Sequence, residues 1–188
     1  KSLFSATHLR FKLIDDQKII FDLTINSNDQ EILLPYDKKL LINTGKTQFT
    51  MKSNGTFPTD IFSVKFKSPL EGDECERREV VQFLNKMNNS IPSQMESLGR
   101  LDENATNGHF YKKSVVNSVL VARNKKTPLL SIFSLGKQRL EIITRLNIPD
   151  DVVFALGIAS FLGAQKFTRY EYSDNYKLKL GFPALFKI

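Results

Sequence analysis

A stretch with no polar face sets the plan of this chain. From Val152 to Ala164 every side chain is apolar or small, and Ser160 is the one polar member. A helix at a protein surface carries a polar stripe at its 3.6-residue period, and this segment has none. A membrane-spanning helix needs about 20 apolar residues, more than the run supplies. Residues 150–165 are therefore expected to form a helix surrounded by protein. The small residues Ala155, Gly157, Ala159, Gly163 and Ala164 would let strands approach it closely.

The chain before that helix reads mostly as short strands. Leu9, Phe11 and Leu13 alternate with Arg10 and Lys12, the period-2 signature of a half-buried strand. After the turn cluster Asp15-Asp16-Gln17, alternation resumes through Ile19, Phe21, Leu23 and Ile25, so residues 8–25 read as a hairpin. Short strands follow at Ile32–Leu34, Lys39–Asn43 and Gln48–Lys52. Asn54-Gly55 is a turn signal, since both residues tolerate positive φ. Phe62, Val64 and Phe66 then alternate with Ser63, Lys65 and Lys67. Further strands are expected at Ser114–Arg123, Leu129–Phe133 and Leu140–Leu146, and a last one where Tyr176, Leu178, Leu180 and Phe182 alternate with Lys177 and Lys179.

One segment breaks this pattern. Asp73-x-x-Glu76 matches a capping box, and Val80, Leu84, Met87 and Ile91 follow at helical spacing with Arg77, Arg78, Gln82 and Lys86 opposite. This predicts an amphipathic surface helix at about 74–88. Residues 89–109 read as a long loop, so 74–109 is expected as an insertion into a single β-rich domain spanning 1–188. The fold class expected is α+β and β-rich: a barrel or strongly curved antiparallel sheet enclosing a central hydrophobic helix.

The segment from Val119 to Gly163 resembles a known family. Two strands lead to Ser134-Leu135-Gly136-Lys137, then Leu140-Glu141-Ile142-Ile143, then Pro149-Asp150-Asp151 and the small-residue apolar helix. This is similar to the closing part of the tubby-like fold, with the LURP-one-related proteins nearest in pattern and the phospholipid scramblases more distant. The resemblance implies a strand barrel closed around one hydrophobic helix. The stretch around Asp15-Asp16-Gln17-Lys18 is similar to that family's hairpin units. Two departures stand out. About 20 residues follow the helix, where the family usually ends, and no tubby-type phosphoinositide signature is present to carry binding residues over.

No reaction chemistry is legible. Cys75 lies in the first turn of the predicted helix, where the dipole would favour a thiolate, but no histidine is near it in sequence. His8 and His109 are isolated, and nucleophilic catalysis needs a nucleophile beside an oriented base. The acid groups Asp15-Asp16, Asp150-Asp151 and Glu71-x-Asp73-Glu74 are explained by turns and helix caps, so no metal and no cofactor are expected. Gly45-Lys46-Thr47 lacks the upstream glycine of a phosphate-binding loop, since position 40 is Leu. Asn-x-Ser/Thr sequons at Asn54, Asn88 and Asn104 are near chance in an Asn-rich chain. One cysteine rules out an internal disulfide framework and suits a reducing compartment. The chain opens at Lys1 without Met, which is expected of a fragment. No signal peptide or spanning segment is read, and the expected location is intracellular: cytoplasmic, peripheral membrane or nuclear.

Charge is the remaining signal. The net charge is +7 and the pI near 9.4, which favours polyanionic partners. With the apolar phase of each strand facing inward, Arg10, Lys12, Lys52, Lys65, Lys67, Lys177 and Lys179 face outward as candidate contacts for anionic headgroups. Arg77, Arg78 and Lys86 on the predicted helix are candidate partner contacts. Turns add Lys38, Lys39, Lys46, Lys125 and Lys126. The bland alternative is a scattered solvated surface with Lys guarding strand edges. Nucleic acid is a weaker fit, because Phe11, Phe21, Phe62, Phe66 and Phe154 fall on the inward phase and leave no stacking platform. The reading that charge and resemblance favour is a non-enzymatic module for anionic membrane lipid, phosphoinositide-like, or a membrane-proximal adaptor. A protein–protein interaction domain of a larger assembly, docking through residues 74–109, is the alternative.

If the 150–165 helix is covered all round, enlarging its small residues overpacks it. Gly157→Leu or Ala159→Phe is expected to lower stability by roughly 1–3 kcal/mol. Urea unfolding checks this, and wild-type stability in either variant would refute a covered helix.

Overall fold

Alternating segments become strands along most of the chain. The computed structural model describes residues 8–26, 28–67, 78–84, 91–98, 117–136, 139–171 and 184–187. β1 (His8–Asp15) and β2 (Lys18–Asn26) form the expected first hairpin, burying Phe11, Leu13, Phe21 and Ile25. Its two-residue turn, Asp16-Gln17, has φ of 41° and 66°, as in the type I′ turns whose twist matches the strands they join. A meander follows: β3 (Glu31–Leu34), β4 (Lys38–Ile42), β5 (Gln48–Ser53) and β6 (Asp60–Lys67). Their inward residues include Ile32, Leu40, Phe49, Met51, Phe62 and Val64, all 3% exposed or less. The Asn43 side chain organises the β4–β5 turn by accepting the N–H groups of Thr47 (2.8 Å) and Gln48 (2.9 Å).

β7 (Arg78–Phe83), β8 (Gln94–Ser97), β9 (Ser118–Ala122), β10 (Pro128–Gly136) and β11 (Arg139–Thr144) continue the antiparallel ladder. β9 and β10 bury both faces, with Leu120, Leu130 and Ile132 on one side and Val119, Val121 and Phe133 on the other. That is why the sequence there runs apolar without strict alternation. After α1 (Asp150–Glu171), β12 (Ala184–Lys187) enters between β1 and β11, parallel to both. The described strands form one 12-stranded sheet in the order β2-β1-β12-β11-β10-β9-β8-β7-β6-β5-β4-β3.

α1 packs against strands from well-separated parts of that order. Phe154 meets Phe21 of β2 (ring centroids 5.4 Å apart), and Phe161 meets Phe11 of β1 (5.5 Å). Other helix residues contact β5, β6 and β11. Positions 151–160 are all buried, as are Leu162 and Gly163. Burying Val152, Val153, Phe154, Leu156, Ile158 and Leu162 contributes on the order of 10 kcal/mol. The helix start is stitched in by polar contacts. The Pro149 carbonyl accepts the N–H groups of Val152 (3.0 Å) and Val153 (3.1 Å). Lys38 of β4 donates to the Asp151 carboxylate, which is 3% exposed. A partly buried pair of this kind roughly breaks even energetically, so burial holds the helix and the ion pair fixes which end lies beside β4.

Four expectations are corrected. The sheet is not closed: β2 and β3 are its edges and no ladder joins them. At the end of β2 the backbone of Asn26 turns locally, its N–H donating to Asp29 Oδ2 (3.3 Å) and its carbonyl accepting from Asp29 N (3.1 Å). Nor is the sheet wholly antiparallel, since β12 pairs in parallel on both sides. The helix expected at 74–88 is contradicted at its centre, where residues 78–83 are β7, paired with β6 from Phe62↔Phe83 to Lys67↔Arg78. Alternation of the inward Glu79, Val81 and Phe83 prevails there over the helical spacing of Val80 and Leu84, and Leu84 is 49% exposed. The long loop expected at 89–109 contains β8. The strand expected at 176–182 lies outside the described residues.

Gly163 lets β6 approach the helix. A Cβ there would stand 2.5 Å from Cε2 of Phe66, which is 5% exposed and braced edge-on by Phe49 at 5.6 Å. Alanine gains about 1 kcal/mol of helix propensity, while overpacking costs about 1–3 kcal/mol. Gly163→Ala is therefore expected to be net destabilising by about 1 kcal/mol in urea unfolding. A variant more stable than the parent would show that the Phe66 ring yields freely.

Candidate functional site

Four of the outward cations predicted from sequence, Arg10, Lys12, Lys52 and Lys65, have described side chains, and the first three are already engaged. Arg10 grips Asp22 across β1 and β2 with two hydrogen bonds, Nε to Oδ1 at 2.7 Å and a terminal nitrogen to Oδ2 at 2.5 Å. Lys12 lies 3.5 Å from the same carboxylate. Lys52 pairs with Asp60 at 2.9 Å. Of the turn lysines, Lys38 is committed to Asp151 and Lys39 lies 3.2 Å from Glu31. Lys65 is exposed and has no acidic partner among the described residues. The backbones of Lys67 and Arg78 pair with one another at the ends of β6 and β7, but their side chains lie outside the described residues. Arg77, Lys86, Lys177, Lys179, Cys75 and His109 also lie outside them. Among the described residues, Arg10, Lys12 and Lys52 are held in ion pairs, and Lys65 stands without an acidic partner.

Lys65 borders a shallow groove of about 400 Å³ over β5–β8, with Gln48, Gln82, Gln94 and Glu96 in its walls. Gln94 donates to Glu96 at 2.6 Å. One acid and one base share this groove, so its charge is balanced and it offers a polyanion little. No group of three or more His, Cys, Asp and Glu that could hold a metal occurs among the described residues.

A different cluster emerges from topology. The strand registers place the β1–β2, β3–β4, β5–β6, β7–β8 and β9–β10 connections at the end of the sheet where α1 begins. On that rim, Arg123, Lys125 and Lys126 occupy the β9–β10 turn, and Arg145 follows β11; all four are exposed. The Arg145 N–H bonds the Leu129 carbonyl at 2.9 Å, which sets Arg145 beside the start of β10. Asn124, with φ of 61°, reverses the turn and leaves its charged neighbours facing solvent. From Phe83 round to Pro149 the rim carries no acid among the described residues, and the exposed Asp150 follows directly at the start of α1. Asp15, Asp16 and Asp37 lie on the far arc, in the β1–β2 and β3–β4 turns.

Among the described residues, the same rim carries most of the large exposed apolar side chains: Phe57 (87% exposed), Tyr36 (72%), Leu84 (49%) and Ile19 (55%). Sequence reading identified Lys125 and Lys126 as turn residues but missed Arg123, Arg145 and the apolar side chains. Strand registers, which periodicity does not fix, bring these separate turns to one end.

No helix among the described residues is long and apolar enough to cross a membrane. In comparison with known proteins, the chain matches no family model and no curated sequence.

The Arg10–Asp22 pair has a pH signature. Hydrogen bonds from Arg10 hold the Asp22 carboxyl below its ordinary range. A lowered folded value means that the pair's contribution is present above about pH 4 and fades as pH falls through that lowered value. The stability difference between wild type and Asp22→Asn should thus be visible at pH 6 and shrink below about pH 4, remaining small throughout because the pair is exposed. Paired urea titrations across pH check this; a difference that grows in acid would reverse the assignment.

Proposed function

We propose that the protein is a non-enzymatic module that binds anionic membrane lipid, with phosphoinositide-like headgroups engaged at the rim by Arg123, Lys125, Lys126 and Arg145. The observation that carries this reading is the set of four exposed cations at the β9–β10 turn and after β11, on the rim that also carries exposed apolar side chains. A flat, highly charged bilayer surface meets many rim residues at once, and each well-placed Lys or Arg contributes about 1 kcal/mol there. The sheet-face cations Arg10, Lys12 and Lys52 play a smaller part in this reading, since binding a lipid would first require breaking their ion pairs.

We further infer that the sheet curls around α1 in a plan resembling the tubby-like fold. Two facts support the curl. β2 and β3, the two edges, are consecutive in sequence, and Phe21 of β2 touches Tyr36 beyond β3 with ring centroids 5.7 Å apart. The helix also packs against strands from both halves of the sheet.

Vesicle co-sedimentation tests the function, with neutral, phosphatidylserine and phosphoinositide compositions at two salt concentrations. Wild type is expected to bind anionic vesicles at low salt and to weaken at high salt. Replacing Arg123, Lys125 and Lys126 together by Gln should cost on the order of a hundredfold in affinity. Lys65→Gln should leave binding nearly unchanged. Absence of wild-type binding at low salt would overturn the reading and favour a protein partner instead.

A further inference from the structure

We propose that the β5–β6 loop is a membrane anchor: Phe57, flanked by Tyr36 and Leu84, enters the bilayer interface, so that the ligand is the membrane itself and not a free headgroup. This rests on the anionic-membrane reading above and adds the mode and orientation of binding.

The loop Asn54-Gly55-Thr56-Phe57-Pro58-Thr59 is polar or small except at its tip and the proline beside it. Its ends are held rather than loose. Ser53 N donates to the Thr59 carbonyl (3.0 Å), Thr59 N to Ser53 Oγ (2.9 Å), and Asn54 N to the Asp37 carbonyl (2.8 Å). The Asn54 amide also reaches Asp37 Oδ1 at 3.3 Å. These bonds tie the loop carrying Phe57 to the turn carrying Tyr36. On its other side, Leu84 N donates to the Ile61 carbonyl at 3.0 Å, placing Leu84 beside the start of β6. Three exposed apolar side chains thus stand on adjacent, mutually bonded connections.

A Phe side chain 87% exposed at the tip of a braced loop has no role in the core. Rigid presentation removes the ordering cost that a floppy loop would bear on insertion. Aromatic side chains favour the interfacial zone of a bilayer, and apolar insertion is coupled to anionic lipid when basic residues flank it. Arg123, Lys125, Lys126 and Arg145 stand on the same rim, separated from this loop by β7 and β8, so that loop and cations can meet one flat bilayer surface, with Asp37 in the Tyr36 turn between them and the opposite arc. Because α1 starts at this end, the protein would stand with the helix N-terminus toward the membrane. Leu135, seven residues along β10 from Pro128, would stand about 23 Å away, beyond the ~5–10 Å that an interfacial element penetrates.

The chain contains no tryptophan, so a single substitution creates a unique reporter. Phe57→Trp fluorescence is measured on mixing with phosphatidylserine vesicles, with and without brominated acyl chains, and sedimentation of the same samples is read in parallel. The expected result is a blue shift, with quenching by bromolipid, on anionic vesicles. Leu135→Trp, at the opposite end, should show neither change while sedimenting equally. Phe57→Ala should weaken vesicle binding about tenfold without altering the unfolding midpoint. Sedimentation with no blue shift at position 57 would overturn the anchor and leave the electrostatic reading standing. Equal shifts at 57 and 135 would overturn the orientation and with it the proposal. Failure of every variant and of wild type to sediment at low salt would overturn both readings together.

Discussion

The burial of α1 is the constraint on which the rest depends. A helix with no polar stripe must be covered on every side, and here positions 151–160 are buried without a break. Each neighbouring strand supplies part of that cover. Phe11, Phe21, Phe49, Phe62 and Phe66 project inward from four different strands, and the ring of Phe66 fits against the small residue Gly163. These five rings thus serve the interior rather than a stacking surface.

Fixing the helix also gives the sheet two distinct ends. Hairpin strands reverse direction at each turn, so alternate connections collect at the end where the helix begins. Lys38 and Asp151 mark that end from inside, and Tyr36, Phe57, Leu84 and the Arg123–Arg145 cluster mark it from outside. On the sheet face, cross-strand pairing consumes charge: Asp22 neutralises Arg10 and Asp60 neutralises Lys52, so the face is more nearly balanced than its lysine count suggests. The excess positive charge near the helix start is instead concentrated in turns.

Much of the fold was legible because each strand with one buried face writes its period into the sequence. The β1–β2 hairpin, the meander from β3 to β6 and the helix start at Asp150 all follow from local pattern. β7 was misread because Val80 and Leu84 also satisfy a helical spacing. The deciding fact, a partner strand at Phe62–Lys67 offering a full ladder, is nonlocal. β8 was missed because only Met95 among its four residues is buried, which leaves almost no apolar signal. The candidate site was less legible still. Outward phase identified Arg10, Lys12 and Lys52 as exposed cations, but phase along a strand does not reveal which acid stands opposite.

By itself, the sequence determined that the chain is β-rich, that it holds an apolar helix, and that its net charge is positive. These are properties of composition and of periods shorter than four residues, which any segment carries with it. Tertiary structure decided the strand order, the parallel entry of β12 between β1 and β11, the open seam between β2 and β3, and which cations are spent in ion pairs. It also decided that Phe57 and Arg123, 66 positions apart in the chain, stand on the same rim. Those outcomes depend on register between distant strands, and register is set by packing around the helix rather than by any local preference.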